Sequence, residues 1–349
     1  MPIAGFGKSR IPFDMFDVDR SAEEAKRLSK CERIYHRGQD LAWDGKEILA
    51  MLLKKHGGIS ISDEKRAALE RIFAIILWGE LAAWRISAQL ADELEPLEAK
   101  MAATAQTHDE ARHFYVMHDY LSELGTVPKE LDRAPRALLD LVLGTDKLAY
   151  KLLGMQLMVE TLALTIFQTV RETNVEPVLC ELLSYFERDE ARHVGLGMQY
   201  LPALMQDMSK VEVSRLLAFQ CKIIFWSLWE TKTLEKEFAL LGVDPRLVIE
   251  RGRRKQLAVT QEAFAVLGVD FNKKRNPLLK LLNGAVELVL PEEENSQSTL
   301  SRFRNAWNAM RTDMGQVGIE EFDVHSKHRI RTAKGVDALG ERMVGSRNS

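Results

Sequence analysis

Asp109-Glu110-Ala111-Arg112-His113 recurs as Asp189-Glu190-Ala191-Arg192-His193, eighty residues later. Glu80 and Glu160 stand at the same offset. Each half therefore reads Glu, twenty-nine residues, Glu, two residues, His. The surrounding sequence has helical period and almost no strand-like alternation. A helix is predicted from Ser60–Asp63 to Glu95, with the apolar stripe Leu69, Phe73, Ile76, Leu77, Ala83 and Trp84 and with Glu80 at its centre. A second runs from Leu97 to Leu124. A third covers Asp146 to Thr173, with Glu160 amid Leu153, Leu157, Ala163, Leu164 and Phe167, and a fourth runs from the Asn174–Pro177 turn to Met208.

The spacing explains the repeat. Pro96 lies near the midpoint of Glu80 and Glu110, and Asn174–Pro177 near the midpoint of Glu160 and Glu190. Each half runs up about fifteen residues, turns and comes down about fifteen, so each arm is roughly 22 Å long. The two glutamates of a hairpin return to the same height. Glu and His at i and i+3 share a helical face. Two such hairpins packed face to face bring together Glu80, Glu110, His113, Glu160, Glu190 and His193. Four buried carboxylates need compensation, and two divalent cations supply it. Oxygen and imidazole donors without thiolate favour iron or manganese over structural zinc, and helical bundles that hold two metals use this ligand set. Metal-bound His usually donates its other N–H to a carboxylate. Asp109 is then the candidate partner of His193, and Asp189 of His113, with Arg112 and Arg192 pairing to the aspartates; the plainer reading is two surface ion pairs.

The rest of the chain bounds the reading. It has 349 residues, 46% hydrophobic, with a formal net charge of −3. Nothing in that balance favours nucleic acid or a membrane surface as a partner. The basic runs Arg251–Lys255 and Lys327–Lys334 read as solvated. Cys31, Cys180 and Cys221 form no CxxC pair and read as reduced core thiols of a cytoplasmic protein. There is no secretory pattern at Met1–Arg20, and no uninterrupted apolar run long enough to span a bilayer. Phosphate-loop, dinucleotide and nucleophile-elbow motifs are absent. His108 and His118 are out of register with the repeat, and Trp78, Trp84, Trp226 and Trp229 read as buried packing with electron transfer as the alternative. The predicted architecture is all-α. It has a helical extension (1–61), a four-helix di-metal bundle (62–207), further helices packed on it (208–326, near 210–241, 245–267, 278–290 and 297–316) and a basic flexible tail (327–349).

With these motifs the chain resembles the ferritin-like di-iron carboxylate superfamily. The paired [Asp/Glu]-Glu-x-Arg-His is most similar to the soluble O2-activating members: acyl-carrier-protein desaturases, the hydroxylase subunits of bacterial multicomponent monooxygenases, and the small subunit of class I ribonucleotide reductase. The resemblance implies a ferritin-like bundle whose long crossover is Thr126–Gly144, with the six residues above as ligands of two irons or a mixed Mn/Fe pair. It implies O2 as co-substrate, a ferredoxin or reductase as electron donor, and a homodimer. The expected reaction is hydroxylation, desaturation or N-oxygenation of an apolar small molecule or carrier-bound acyl chain, in a pocket built from Phe114, Met117, Ala163, Leu164, Phe167 and Gly197. Iron handling as a ferroxidase and a ribonucleotide-reductase-like role are the alternatives. The departures are specific. Met117 stands where the reductase subunit carries its radical tyrosine. Ala163 and Leu164 stand where desaturases and monooxygenases carry threonine, and Phe186 where arylamine N-oxygenases add a histidine. No CxxC pairs suggest a rubrerythrin.

Overall fold

The computed structural model describes residues 18–125, 127–267, 277–291 and 298–311, and among them there are helices and no strands. The bundle is α3 (Asp63–Glu93), α4 (Leu97–Leu124), α6 (Leu148–Thr173) and α7 (Pro177–Gln206). Before it come α1 (Val18–Asp40) and α2 (Gly45–His56), and α5 (Arg133–Leu143) lies in the crossover between α4 and α6. After it come α8 (Lys210–Thr233), α9 (Glu235–Leu240), α10 (Pro245–Phe264), α11 (Pro277–Val289) and α12 (Thr299–Arg311). The expected flexible tail at 327–349, the basic run Lys327–Lys334 and the far end of the helix expected at 297–316 lie outside the described residues.

The two bundle hairpins turn in different ways. Between α3 and α4, Pro96 occupies the cap position, and the Lys100 ammonium donates to the last-turn carbonyls of Ala91 and Asp92 at 2.9 and 2.6 Å. Between α6 and α7, Asn174 takes a left-handed conformation (φ 49°), which asparagine tolerates. Pro177 then opens α7 at a position whose N–H would be unpaired anyway. The buried Glu176 carboxylate caps α7 by accepting from the backbone N–H groups of Val178 and Leu179 and from the Tyr120 hydroxyl.

Two features differ from expectation. Residues Leu152–Val159 of α6 are wound as a π-helix that ends at Glu160. Every residue from Leu152 to Met158 is buried, so the apolar pattern of Leu-Leu-Gly-Met-Gln-Leu-Met reads the same for either winding. The crossover helix starts at Arg133, where the sequence predicts a short run Arg136–Leu143 following Pro135, because a proline in the first turn costs no hydrogen bond.

α1 lies against α4 and α7 and is kinked at Leu28 (φ −103°, ψ 15°). α2 is pinned at its start. Asp44 caps it by accepting from the Glu47 N–H, and the Gly45 N–H donates to the Tyr115 hydroxyl at 3.0 Å. A side chain at Gly45 would collide with Val116 and Tyr115, so glycine is required there by close approach. The expected solvated face at Arg251–Lys255 is found only in part. Arg251 pairs with Glu172 at 2.5 Å, Arg253 is buried and donates to Asn283, and Lys255 donates to Gln168 at 2.5 Å, all on α10 against neighbouring helices. Cys31 and Cys180 are buried and Cys221 is partly so, with none in a disulfide. α6 alone among the described helices is long and apolar enough by composition to cross a membrane, and 78% of its apolar window is buried inside the bundle.

Candidate metal centre

The four bundle helices bring their repeated residues to one buried point. Glu80, Glu110, His113 and Glu190 form one group whose donor atoms all lie within 4.8 Å of one another, and Glu110, Glu160, Glu190 and His193 form a second. Glu110 and Glu190 belong to both. The geometry therefore describes two adjacent metal positions with two shared carboxylates and one Glu and one His particular to each.

The donor atoms point inward. His113 Nδ1 is 3.3 Å from Glu80 and 3.1 Å from Glu190, and His193 Nδ1 is 3.0 Å from Glu110 and 3.1 Å from Glu190. Glu110 Oε2, Glu190 Oε1 and His113 Nδ1 are buried without a hydrogen-bond partner. Orphaned buried acceptors converging on one point are costly unless something cationic joins them. The donor set fits two divalent ions of the iron or manganese type.

The other imidazole nitrogen is held across the bundle. His113 Nε2 is 3.2 Å from Asp189, and His193 Nε2 is 3.3 Å from Asp109. Arg112 donates to Asp109 at 2.5 Å and Asp189 at 2.8 Å, and Arg192 donates to the same two aspartates at 2.8 and 2.7 Å. These four charges are buried and sum to zero, so the inner four carboxylates are left to be balanced by bound metal. The quartet fixes the tautomer that donates from Nε2 and leaves Nδ1 free to ligate. It is not a set of surface ion pairs.

The electrostatics report a cluster short of positive charge. Burial pushes the Glu160 carboxyl well above the usual range, and Glu190 and Glu110 push the same way. Burial also raises Glu80, against the pull of His113. Burial alone would raise Glu110 too, but His193 and His113 hold it well below the usual range. Both imidazoles resist their burial and are driven toward the charged form, His113 chiefly by Asp189 and Glu110, His193 by Glu110 and Glu190.

Trp43, Gln106 and Gln156 around the centre escaped sequence reasoning, and Phe186 enters it only as a departure from the arylamine N-oxygenase pattern. Trp43, just before α2, donates from its indole N–H to Asp189 at 2.7 Å, and the Arg112 guanidinium lies over its ring. Gln106 donates to Glu110 at 2.9 Å and Glu160 at 3.2 Å, and Gln156 from the π segment approaches Gln106 at 3.5 Å. Phe186 stacks on His113 with ring centres 4.3 Å apart. Gln106 and Phe186 each stand four residues before a repeated glutamate, which is a findable signal. Trp43 has no register with the repeat. Trp78, Trp84 and Trp229, expected to be buried, are exposed.

An apolar pocket, partly open to solvent, adjoins the centre. Glu80 and Glu160 line it, with Ile75, Ile76, Gly79, Ala83, Pro135, Leu138, Leu139, Val159, Leu162, Ala163, Ile166 and Glu230. Of the six residues expected to form a pocket, Ala163 is among these. Leu164, Phe167 and Met117 are buried in the core, and Phe114 packs beside it. Gly197 lets α7 approach the π segment, since a Cβ there would meet Gln156 and Leu157 at 2.9 Å. On α6 the side facing the cavity is Val159, Leu162, Ala163 and Ile166, one stripe of the helix that carries Glu160. Tyr115 and Tyr120 are engaged with Gly45 and Glu176.

No family model matches the chain, and no curated protein does. Among solved structures it is similar to an R2-like ligand-binding oxidase variant with an aerobically reconstituted Mn/Fe cofactor, with a TM-score of 0.52 and 15% sequence identity over 66% of this chain and 93% of that one. The chain has a ferritin-like fold. This ferritin-like chain presents buried carboxylate and histidine clusters able to bind two metal ions, as the neighbour binds Mn and Fe.

Proposed function

We propose that this chain is an O2-dependent oxidase or oxygenase with a di-iron or Mn/Fe centre held by Glu80, Glu110, His113, Glu160, Glu190 and His193, acting on a largely apolar small molecule. The observation that carries the reading is the apolar cavity whose walls include Glu80 and Glu160, one glutamate from each metal group.

Bound metals of this kind supply the electrons and Lewis acidity that O2 reduction needs. The protein's own part is positional. Asp109 and Asp189 hold the Nε2 protons of His193 and His113. Gln106 donates to Glu110 and Glu160 and orients both carboxylates. Ile76, Leu138, Leu162 and Ile166 keep bulk water from the substrate side. Trp43 is partly buried and linked through Asp189 to His113, which supports it as an entry point for electrons from a donor protein such as a ferredoxin or reductase. Hydroxylation, desaturation and N-oxygenation all suit this chamber.

The test is anaerobic loading with Fe(II), then addition of ¹⁸O2 with apolar candidate substrates. Organic product, formed in proportion to the O2 consumed, supports the reading. Oxidation of many irons per chain into a mineral core, with no organic product, would replace it with iron storage.

A further inference from the structure

The apolar cavity has one charged group besides the metal-centre carboxylates. Glu230, on α8, lines it and is 6% exposed, and its Oε1 is buried with no hydrogen-bond partner. Its Oε2 has only a 3.5 Å contact with the Thr233 hydroxyl, which donates more closely to the Glu230 backbone carbonyl at 2.8 Å. The cation beside it is already committed, because Arg71 donates to Glu237 at 2.5 Å and to Asp132 at 2.9 Å. Burial, reinforced by Asp132 and Glu237 and opposed by Arg71, pushes the Glu230 carboxyl up to about 7. An unpaired buried carboxylate in an apolar wall is costly and calls for a cation.

The placement gives the cavity two ends. Arg71 and Glu80 are nine residues apart on α3, roughly 13 Å along the axis. The cavity's α3 wall runs from Ile75 to Ala83 and includes Glu80, while Arg71, the cation near Glu230, stands about one further turn toward the start of α3. Gly79, next to Glu80 in the cavity wall, has open space where a Cβ would stand.

We propose that Glu230 receives the ammonium head group of the substrate, so that the cavity takes an apolar primary amine whose far end lies against Glu80 and Glu160. This deepens the oxidase reading and rests on it for the cavity's being the substrate site. An amine salt-bridged to Glu230 satisfies the orphaned oxygen and replaces the missing charge. Its chain lies along Ile75, Leu138, Leu162 and Ile166, and the atoms presented to the metals are carbons distant from nitrogen.

Calorimetric titration of the full-length protein, Fe(II)-loaded and anaerobic, with n-octylamine, n-octanoate and 1-octanol tests this without turnover. Octylamine is expected to bind at least about tenfold more tightly than octanoate at pH 8, as for one well-formed buried ion pair. Glu230→Gln should erase that preference and leave octanol within about twofold of its original affinity. Gly79→Phe should abolish binding of all three. Equal binding of amine and acid by the unaltered protein, or an amine preference that survives Glu230→Gln, overturns the head-group assignment while leaving the cavity as the substrate site. Binding of all three that is indifferent to Gly79→Phe, or no binding at all, overturns both.

Discussion

The two hairpins of the bundle carry the same ligands at the same offset and surround them differently. In the first, α3 is regular through Glu80; in the second, α6 reaches Glu160 through a π-helical stretch. Glu80 lies 3.3 Å from His113 Nδ1, whereas Glu160 accepts from Gln106. Four residues before Glu110 stands Gln106; four before Glu190 stands Phe186, stacked on His113. Opposite the apolar Ile76 of the first half is Gln156 of the second. The repeat thus specifies where two metals go, and its flanks make the two positions unequal. One is walled by aromatic and aliphatic side chains, and the other is served by amides able to orient a ligand carboxylate.

The largest expected effects separate shared from private ligands. Glu110→Ala or Glu190→Ala should disable both positions, while Glu80→Ala or Glu160→Ala should leave about one metal per chain, since each is particular to one group. Elemental analysis reads this directly, and equal losses from all four variants would break the division. Next come the aspartates. Removing a carboxylate that orients a ligand His typically costs about 10- to 100-fold in metal affinity. Asp189→Ala should sit at the severe end, because Asp189 also receives Trp43, Arg112 and Arg192. It should also destabilise the fold by about 3–5 kcal/mol through the buried arginines left behind, as read by denaturant titration. If Asp109→Ala costs more, the asymmetry is misassigned.

Much of this was legible in the repeat alone. Glu80, Glu160 and the two pentads gave the bundle register and the six converging side chains, because a hairpin of two equal arms admits one mutual height. The crossed pairing of Asp109 with His193 and Asp189 with His113 followed from the same pseudo-symmetry. What was hidden depends on features without period. The π winding at Leu152–Val159 lies in a wholly buried segment, which carries no pattern from which to see it. Trp43 reaches Asp189 from the segment just before α2, where Gly45 lets the chain press on Val116 and Tyr115. Glu230 lies beyond the repeat on α8 and enters the site through tertiary packing.

Smaller effects sharpen the picture of the cavity. The Glu230 carboxyl sits at about 7 against an ordinary 4.5. The folded state holds that proton more tightly than the unfolded chain does. The stability it carries is full below about pH 4.5, falls as pH rises to about 7 and is constant above that. The loss is at most about 3 kcal/mol. Urea denaturation at pH 5 and pH 8 should show this fall in the native sequence and lack that share of it in Glu230→Gln; identical pH profiles would contradict the burial. Gly45→Ala should cost about 1–3 kcal/mol through overpacking, visible as a lower melting temperature. Gly79→Ala should instead stabilise α3 by about 0.5–1 kcal/mol, because the added methyl enters open space and removes unfolded-chain entropy.

Glu110 and Glu190 belong to both groups of metal donors, which Glu80 with His113 and Glu160 with His193 complete. Metal content per chain after anaerobic reconstitution with Fe(II), in the native sequence and in Glu110→Ala, tests this sharing most directly. About two ions per chain in the first and fewer than about one in the second are expected. Fewer than one ion per chain in the native sequence, or two retained by Glu110→Ala, would contradict it.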